Sequence, residues 1–485
     1  MTVVPTAARG KGSLPGWGRL AVGVAWLAAA SLVGLALPMV VADGTSSLVR
    51  LAPIALIAAI GLVVFAFARP EALFVVAFVL LAVVRTNPAP VDLVFALLVV
   101  STLSRARPFA RVPPLIGLGL ALFGILSIAS TMNALDDRRA LVFEGTTIYL
   151  ITLALWLTGM FESAVLTRRA LKAYVLAAIA SAVVGVLALK VPFPGRSLFL
   201  YDRQRAMALF KDPNVFGPFL VPAAAIMLEE IVRPRLFKWG SARTLLALMI
   251  LSSGVVFSFS RAAGLNLGVA ILTVVLIYMA RARGIATTAR SIGAIAICAL
   301  VGLTLLAATN SLSFLQSRSR LETYDQQRFS TQTEALQRAS RHVLGYGPGQ
   351  SEVELPYSTH SLYARVAYEQ GFIGEALLIG IVGATLFAAI ALAARDQDLH
   401  GVGSAALLGS WLGLLANSFF VDTLHWRHLW IFAALIWCAS FLHAEEASNA
   451  VPRWHSPNSV EIADRSRAAL QRRQPSSEEL GETWG

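Results

Sequence analysis

Apolar runs long enough to cross a bilayer recur along nearly the whole chain, and no other feature limits its fold as strongly. A membrane-crossing helix needs roughly 20 mainly apolar residues, because in hydrocarbon every backbone N–H and C=O must be bonded within the segment. Runs of this kind occupy residues 20–42, 51–68, 114–130, 141–160, 171–191, 214–232, 243–260, 262–280, 291–309, 371–394, 403–420 and 428–443. Two shorter runs, 72–84 and 91–103, flank "RTNPAP" and read as two short spans or as a re-entrant hairpin. Of the 485 residues, 56% are hydrophobic and 14% charged, against about 45–50% apolar and about 25% charged in a soluble protein. The pattern predicts an all-α integral membrane protein, a polytopic helical bundle of about 12–14 transmembrane helices.

Charge placement gives the orientation. A net charge of +12 on a soluble chain would point to nucleic acid. Here no nucleic acid is expected, because cytoplasmic loops of membrane proteins are enriched in Lys and Arg. The short loops "SRARPFAR", "TRRALK", "RPRLFK" and "RARGIATTAR" are basic and are assigned to the cytoplasm, whereas "ARDQDLHG" is mixed and contributes little. The expected organisation is a cytoplasmic segment 1–19, membrane helices over 20–190, and helices with a first external Arg-rich loop over 191–309. A large external loop with short helices follows over 310–360, then membrane helices over 361–444 and a disordered cytoplasmic tail over 445–485. Both termini are thus expected in the cytoplasm. Cys298 and Cys438 lie far apart in apolar runs, so neither a disulfide framework nor a zinc site is indicated.

The expected outer side carries arginines that the charge rule does not explain: Arg203, Arg205, Arg261, Arg328 and Arg341. Arg261 lies between two apolar runs with almost no loop. It reads as an anion site facing a cavity or as a hairpin tip snorkelling to the interface. Arginine suits a diphosphate because its planar fork bonds two phosphate oxygens at once and stays charged. Arg203 and Arg205 are two apart, so they would project alike on a strand and diverge on a helix. Asp212 followed by Pro213 is an N-cap signal. Residues 324–345 form an expected amphipathic helix with Phe329, Leu336 and Val343 seven apart, ending at the turn "GYGPGQ".

His360 opens "STHSLYARVAYEQGFIGE". On a helical wheel it shares a face with Ala364, Ala367, Gly371 and Gly374, and Arg365 and Glu369 fall roughly opposite. Its ordinary pKa near 6.5 suits a general base, and a hydrogen-bonded helix-start residue is the plain alternative. His425 and His428, beside Trp426 and Trp430, read as an aromatic interface, and no metal-ligand spacing such as HExxH occurs. Asp136 and Asp137 read as solvated loop charges.

Four segments, in order, resemble the O-antigen ligase / O-antigen polymerase family of bacterial surface-polysaccharide enzymes. They are "RQRAMALFKDPNVFGPFL" (203–220), "FSFSRAAGLNLGVAIL" (257–272), "RFSTQTEALQRASRHVLGYGPGQ" (328–350) and His360 followed by Gly371-x-x-Gly374. The likeness covers roughly 190–395, and Ser361 stands where the family often has Asn. It implies a metal-independent, inverting glycosyltransferase without cofactor, in the bacterial cytoplasmic (inner) membrane. The implied donor is an undecaprenyl-diphosphate-linked glycan on the outer face. A glycan or lipid acceptor, membrane lipids and other polysaccharide-assembly proteins are the implied partners. Arg203 or Arg205, with Arg261 and Arg328, would grip the diphosphate, and His360 would position or deprotonate the acceptor hydroxyl. A secondary transporter or polysaccharide flippase is the alternative from another class, and a non-catalytic assembly scaffold is a third.

Overall fold

The computed structural model describes residues 59–102, 112–281, 285–308, 312–319 and 323–450. The expected first span at 20–42, the segment 1–19, the loop "SRARPFAR" and the tail beyond residue 450 fall outside these. Every apolar run within the described residues is a helix. In chain order they are α1 (Ala59–Ala68), α2 (Pro70–Leu80), α3 (Pro90–Thr102), α4 (Pro114–Ser130), α5 (Asp137–Met160) and α6 (Ala164–Lys190). A hairpin of β1 (Leu200–Tyr201) and β2 (Arg205–Ala206) follows. Then come α7 (Pro213–Val232), α8 (Ser241–Phe257), α9 (Arg261–Ala280), α10 (Ile285–Ala308), α11 (Leu312–Ser319), α12 (Thr323–Ala339) and α13 (Ser351–Glu354). The last three are α14 (Leu362–Ala394), α15 (Ser404–Ser418) and α16 (Arg427–Ala450).

Among the described residues, seven helices are long and apolar enough to cross a membrane: α4 with its following turn, α5, α6, α7, α9, α14 and α16. The protein is an all-α polytopic membrane protein. The runs at 51–68 and 72–84 are not separated by a loop, because α1 and α2 abut across Arg69 alone. Arg69 N still bonds Phe65 O at 2.7 Å and Leu73 N bonds Arg69 O at 3.1 Å. The α2–α3 loop bridges to the segment before α7, with Val84 N on Leu209 O at 2.9 Å and Lys211 N on Val84 O at 3.1 Å. By its contacts the chain divides after Phe441, and the second unit is described only as the helical residues 442–450.

Among the described spans, α7 has the most buried window, 83%, and it packs against α6, α8, α9 and α15. Asp212 caps it as expected, its Oδ1 accepting from Asn214 N at 2.7 Å with Pro213 at the first helical position. Helices α9 and α15 approach closely because α15 offers Gly409 and Gly413. A Cβ on Gly413 would lie 2.2 Å from Asn266 Oδ1. At one end of the bundle, "ARDQDLHG" supplies the acids for the basic loops. Arg233 and Arg281 both pair with Asp396, and Arg235 pairs with Asp398 at 3.2 Å. This loop therefore supplies counterions to "RPRLFK" and to Arg281 at the start of "RARGIATTAR", a larger part than its mixed charge suggested.

The other end carries the long polar segments, and one backbone crossing organises it. Helix α14 is broken at Gly371, where φ is 72° and ψ 175°, a region essentially closed to other residues. The break leaves the carbonyls of Tyr368 and Glu369 to accept from Tyr346 N at 3.0 Å and Gly347 N at 2.9 Å. The "GYGPG" turn thus fills the gap, with positive φ at Gly345, Gly347 and Gly349. Tyr346 stacks on Tyr368 with centroids 4.4 Å apart. Gln350 ties the same loop to the start of α5 by accepting from Leu135 N and Asp136 N at 3.1 and 3.0 Å. Asp136 in turn caps α5 through Arg139 N at 3.0 Å, a structural duty for a residue expected to be a solvated charge.

A Cβ on Gly371 would lie 2.1 Å from Val343 O, and one on Gly345 2.4 Å from Glu369 O. Gly371→Ala and Gly345→Ala are each expected to destabilise by at least ~2 kcal/mol, from disallowed φ/ψ plus overlap. The thermal midpoint and monodisperse yield of detergent-purified protein should fall. Gly383→Ala, in the same helix with open space around its Cβ, should match wild type.

Candidate functional site

Four segments distant in sequence meet over one cavity of about 830 Å³ at this end of the bundle. The first is the β-hairpin. Asp202 and Arg203 have φ of 49° and 59°, so Arg203 stands in the turn, exposed, while Arg205 lies on β2. The pair therefore shares neither a strand nor a helix, and neither of the two projections read from sequence applies. Arg205 lines the cavity and Arg203 does not. The Arg205 side chain is fixed by Nε donating to Ser258 O at 2.9 Å and Nη2 donating to Asn214 Oδ1 at 3.2 Å. It therefore links the hairpin, the start of α7 and the α8–α9 turn.

That turn is only Ser258–Ser260, with Phe259 at φ 48°. Ser260 caps α9 by accepting from Ala263 N at 3.3 Å, and Arg261 is the first helical residue. Arg261 is exposed and lines the cavity. The third segment is α12, whose Arg328 bonds Phe420 O and also lines the cavity. Phe329 and Leu336 are exposed on α12, whereas Val343 lies in the turn beyond its end at Ala339, so the helix expected over 324–345 stops short.

The fourth segment is the stretch 358–365. His360 has φ 46°, a left-handed conformation that β-carbon sterics make costly and that clusters at functional sites. Its neighbour Thr359 is tethered by its carbonyl, which accepts from Gln332 Nε2 at 2.9 Å. Ser361 caps α14, so His360 lies outside the helix. A helical wheel does not apply to it, and Arg365, expected roughly opposite, lines the same cavity. Burial, and after it the Arg328 charge, lower the His360 pKa to about 4, against the opposing pull of Asp212, Asp422 and Glu352. The imidazole is neutral at physiological pH.

Arg365 is the residue that sequence patterning missed. It is 3% exposed. Nε bonds Glu369 at 3.0 Å, Nη1 bonds Asp422 at 2.5 Å and reaches Glu352 at 3.5 Å. Its guanidinium sits 4.8 Å from the Phe143 ring centroid. Burial pushes the Asp422 carboxyl up, but Arg365 foremost and His425 next outweigh it, and the net pKa lies below the usual range. A charge in the first turn of an apolar run was the available signal, because such a charge must be paired inside the protein.

A second cavity of about 610 Å³ adjoins the first, and both are lined by Lys211, Val215, Glu352, Arg365, Asp422 and Trp426. Its walls are mainly apolar, and Leu93, Leu141 and Val142 line it while being 64%, 67% and 61% exposed. It therefore opens sideways between α3 and α5. Its polar floor is Asp92, which accepts two bonds from Arg427 and one from Tyr149 Oη at 3.1 Å. His425 bonds Thr147 Oγ1 at 3.0 Å, and His428 packs edge-on to Phe219. Both belong to this second cavity. Among the described residues no group of three His, Cys, Asp or Glu side chains is disposed to hold a metal ion.

A search for curated relatives finds no match. A family model described as O-antigen ligase matches residues 246–379, from α8 to the middle of α14. The match contains Arg261, Arg328, His360, Arg365 and both crossing glycines, and leaves Arg203, Arg205 and Asp422 outside. The sequence resemblance and this match agree: residues 246–379 are similar to the O-antigen ligase family, within a multi-pass membrane protein.

Proposed function

We propose that this protein is a membrane glycosyltransferase of surface-polysaccharide assembly. It transfers or polymerises an undecaprenyl-diphosphate-linked glycan on the outer face of the cytoplasmic membrane, without a metal ion. The observation that carries this reading is the convergence of Arg205, Arg261, Arg328 and His360 on one cavity at the polar end of the bundle. The family match supports the coarser statement, a membrane enzyme acting in surface-polysaccharide assembly.

In this reading both termini lie in the cytoplasm, and the three arginines take the donor's diphosphate. They stabilise the charge that grows on it as it leaves. An acceptor hydroxyl oxygen attacks the anomeric carbon of the donor glycan. A C–O bond forms there as the bond from that carbon to the diphosphate oxygen breaks. The polyprenyl diphosphate departs with the electron pair, and the hydroxyl proton passes to His360 or, with His360 only orienting the hydroxyl, to water. The diphosphate is a good leaving group, so positioning and charge stabilisation account for much of the barrier reduction. The sideways-opening apolar cavity suits the prenyl chain, whose burial stabilises by about 0.8 kcal/mol per CH₂. Arg203, on the hairpin turn, is assigned at most a part in gathering the anionic donor from outside the cavity.

The lowered His360 pKa follows first from burial and next from Arg328. A diphosphate bound at Arg328 opposes that positive charge, so the pKa should rise on binding. Acylation of His360 by diethyl pyrocarbonate, which needs neutral imidazole, is expected to be flat from pH 7.5 to 5.5 and half-maximal near pH 4. Inorganic pyrophosphate should move that midpoint upward. A midpoint near 6.5 without ligand would contradict the buried, Arg328-facing placement.

Arg261→Ala and His360→Ala are expected to reduce transfer from a lipid-linked glycan by about 100-fold or more while protein levels hold, on the scale of one lost charge-stabilising or acid–base group. Arg261→Lys should remain impaired, because a point charge does not replace a bidentate fork. Purified wild-type protein that moves the glycan across liposomes and forms no transfer product would favour a flippase instead. After gene deletion, accumulated single repeats indicate a polymerase, and full-length glycan retained on its carrier indicates a ligase.

A further inference from the structure

The residues common to the two cavities mark where they join, and two of them are cations. Lys211 and Arg365 line both cavities, whereas Arg205, Arg261 and Arg328 line the larger one and not the apolar one. Arg365 is buried and paired with Glu369, Asp422 and Glu352. Lys211 is exposed, and the hydrogen bond described for its ammonium goes to a neutral group. The Asn87 amide is satisfied on both atoms when its nitrogen donates to Thr86 O at 3.1 Å and its oxygen accepts from Lys211 Nζ at 3.2 Å. Asn87 lines the apolar cavity, so this bond draws the ammonium toward the apolar side of the junction.

The backbone holds Lys211 at this place. Its N–H donates to Val84 O at 3.1 Å, and Val84 N donates to Leu209 O at 2.9 Å. The next residue, Asp212, caps α7. Lys211 is thus anchored through its main chain, and its side chain is left to the cavities. Its charge is felt in the apolar one: burial first, with Arg365 and then Lys211 foremost among the cations, lowers the pKa of the cavity-lining His425 to about 4 against the pull of Asp422. The carboxylates common to both cavities are engaged elsewhere, Asp422 with Arg365 and Glu352 with Arg365 and Arg139. An ammonium carries three N–H donors. Asn87 takes one, and a phosphate group can take the others, for lysine binds phosphate as a point charge.

In the glycosyltransferase reading the donor's prenyl chain occupies the apolar cavity and its reacting end faces His360 in the larger one. The diphosphate then crosses the junction, with the prenyl-side phosphate nearest the apolar cavity. Resting on that reading, we propose that Lys211 is the binding residue for the phosphate attached directly to the prenyl chain. The glycan-bearing phosphate lies further into the larger cavity. Lys211 thereby sets the register of the lipid carrier, with the chain on one side of the ammonium and the anomeric carbon on the other.

Farnesyl phosphate, uncharged farnesol and inorganic pyrophosphate, each titrated into the full-length protein in detergent, test this. Wild type should bind farnesyl phosphate more tightly than farnesol by about tenfold or more, the scale of one charge-assisted hydrogen bond. Lys211→Met should remove that advantage, weakening farnesyl phosphate by about tenfold or more while farnesol and pyrophosphate stay within about twofold of wild type. Lys211→Arg, which keeps the charge, should retain most of the farnesyl phosphate affinity. The proposal is overturned if wild type binds farnesyl phosphate no more tightly than farnesol, or if Lys211→Met leaves farnesyl phosphate affinity unchanged. It is equally overturned if Lys211→Met weakens farnesol or pyrophosphate as much as farnesyl phosphate, because the effect would then be lost packing or a general loss of charge. Transfer from a lipid-linked glycan by purified wild type is the separate readout for the reading beneath. No transfer product together with Lys211-dependent farnesyl phosphate binding would count against the glycosyltransferase and leave the prenyl phosphate site standing.

Discussion

The polar end of this protein depends on two glycines crossing. Where α14 breaks at Gly371, two carbonyls lose their helical partners, and the backbone of Tyr346 and Gly347 supplies replacements. Backbone groups at membrane depth must be satisfied inside the protein, so break and turn require one another. Around this junction the chain sets out Arg328 on α12, Glu352 on α13, His360 before α14 and Arg365 in its first turn. The cavity is built from what the crossing holds in register.

Electrostatics then sorts these groups. A buried guanidinium without counter-charge would be untenable in an apolar bundle, and Arg365 has three carboxylates. Arg205 donates to the Ser258 carbonyl and to the Asn214 amide oxygen. His360 is neutral because burial and Arg328 together outweigh the acids near it. The adjoining apolar cavity extends the same site sideways between α3 and α5.

Much of this was legible beforehand. Hydropathy located the apolar helices among the described residues, since only a fully hydrogen-bonded segment survives in hydrocarbon. The Asp212–Pro213 cap and the turn at "GYGPGQ" followed from local chemistry. Arg205, Arg261, Arg328 and His360 were singled out from sequence and line a single cavity. Patterning failed where the backbone leaves regular geometry. Arg203 was separated from Arg205 by two positive φ angles, and the wheel misplaced Arg365 because His360 lies before the helix. Asp422 and Glu352 carried no motif at all.

The sequence by itself determined a multi-spanning α-helical protein and the polarity of its loops, because membrane solvation acts residue by residue along a segment. Only the tertiary structure decided which charged side chains share a cavity and which carboxylates gather around Arg365. Those outcomes depend on contacts between α5, α12, α13, α14 and the α15–α16 connection, whose separations in sequence reach hundreds of residues. Charge pairing over a few ångströms cannot be read from spacing when the partners come from different helices.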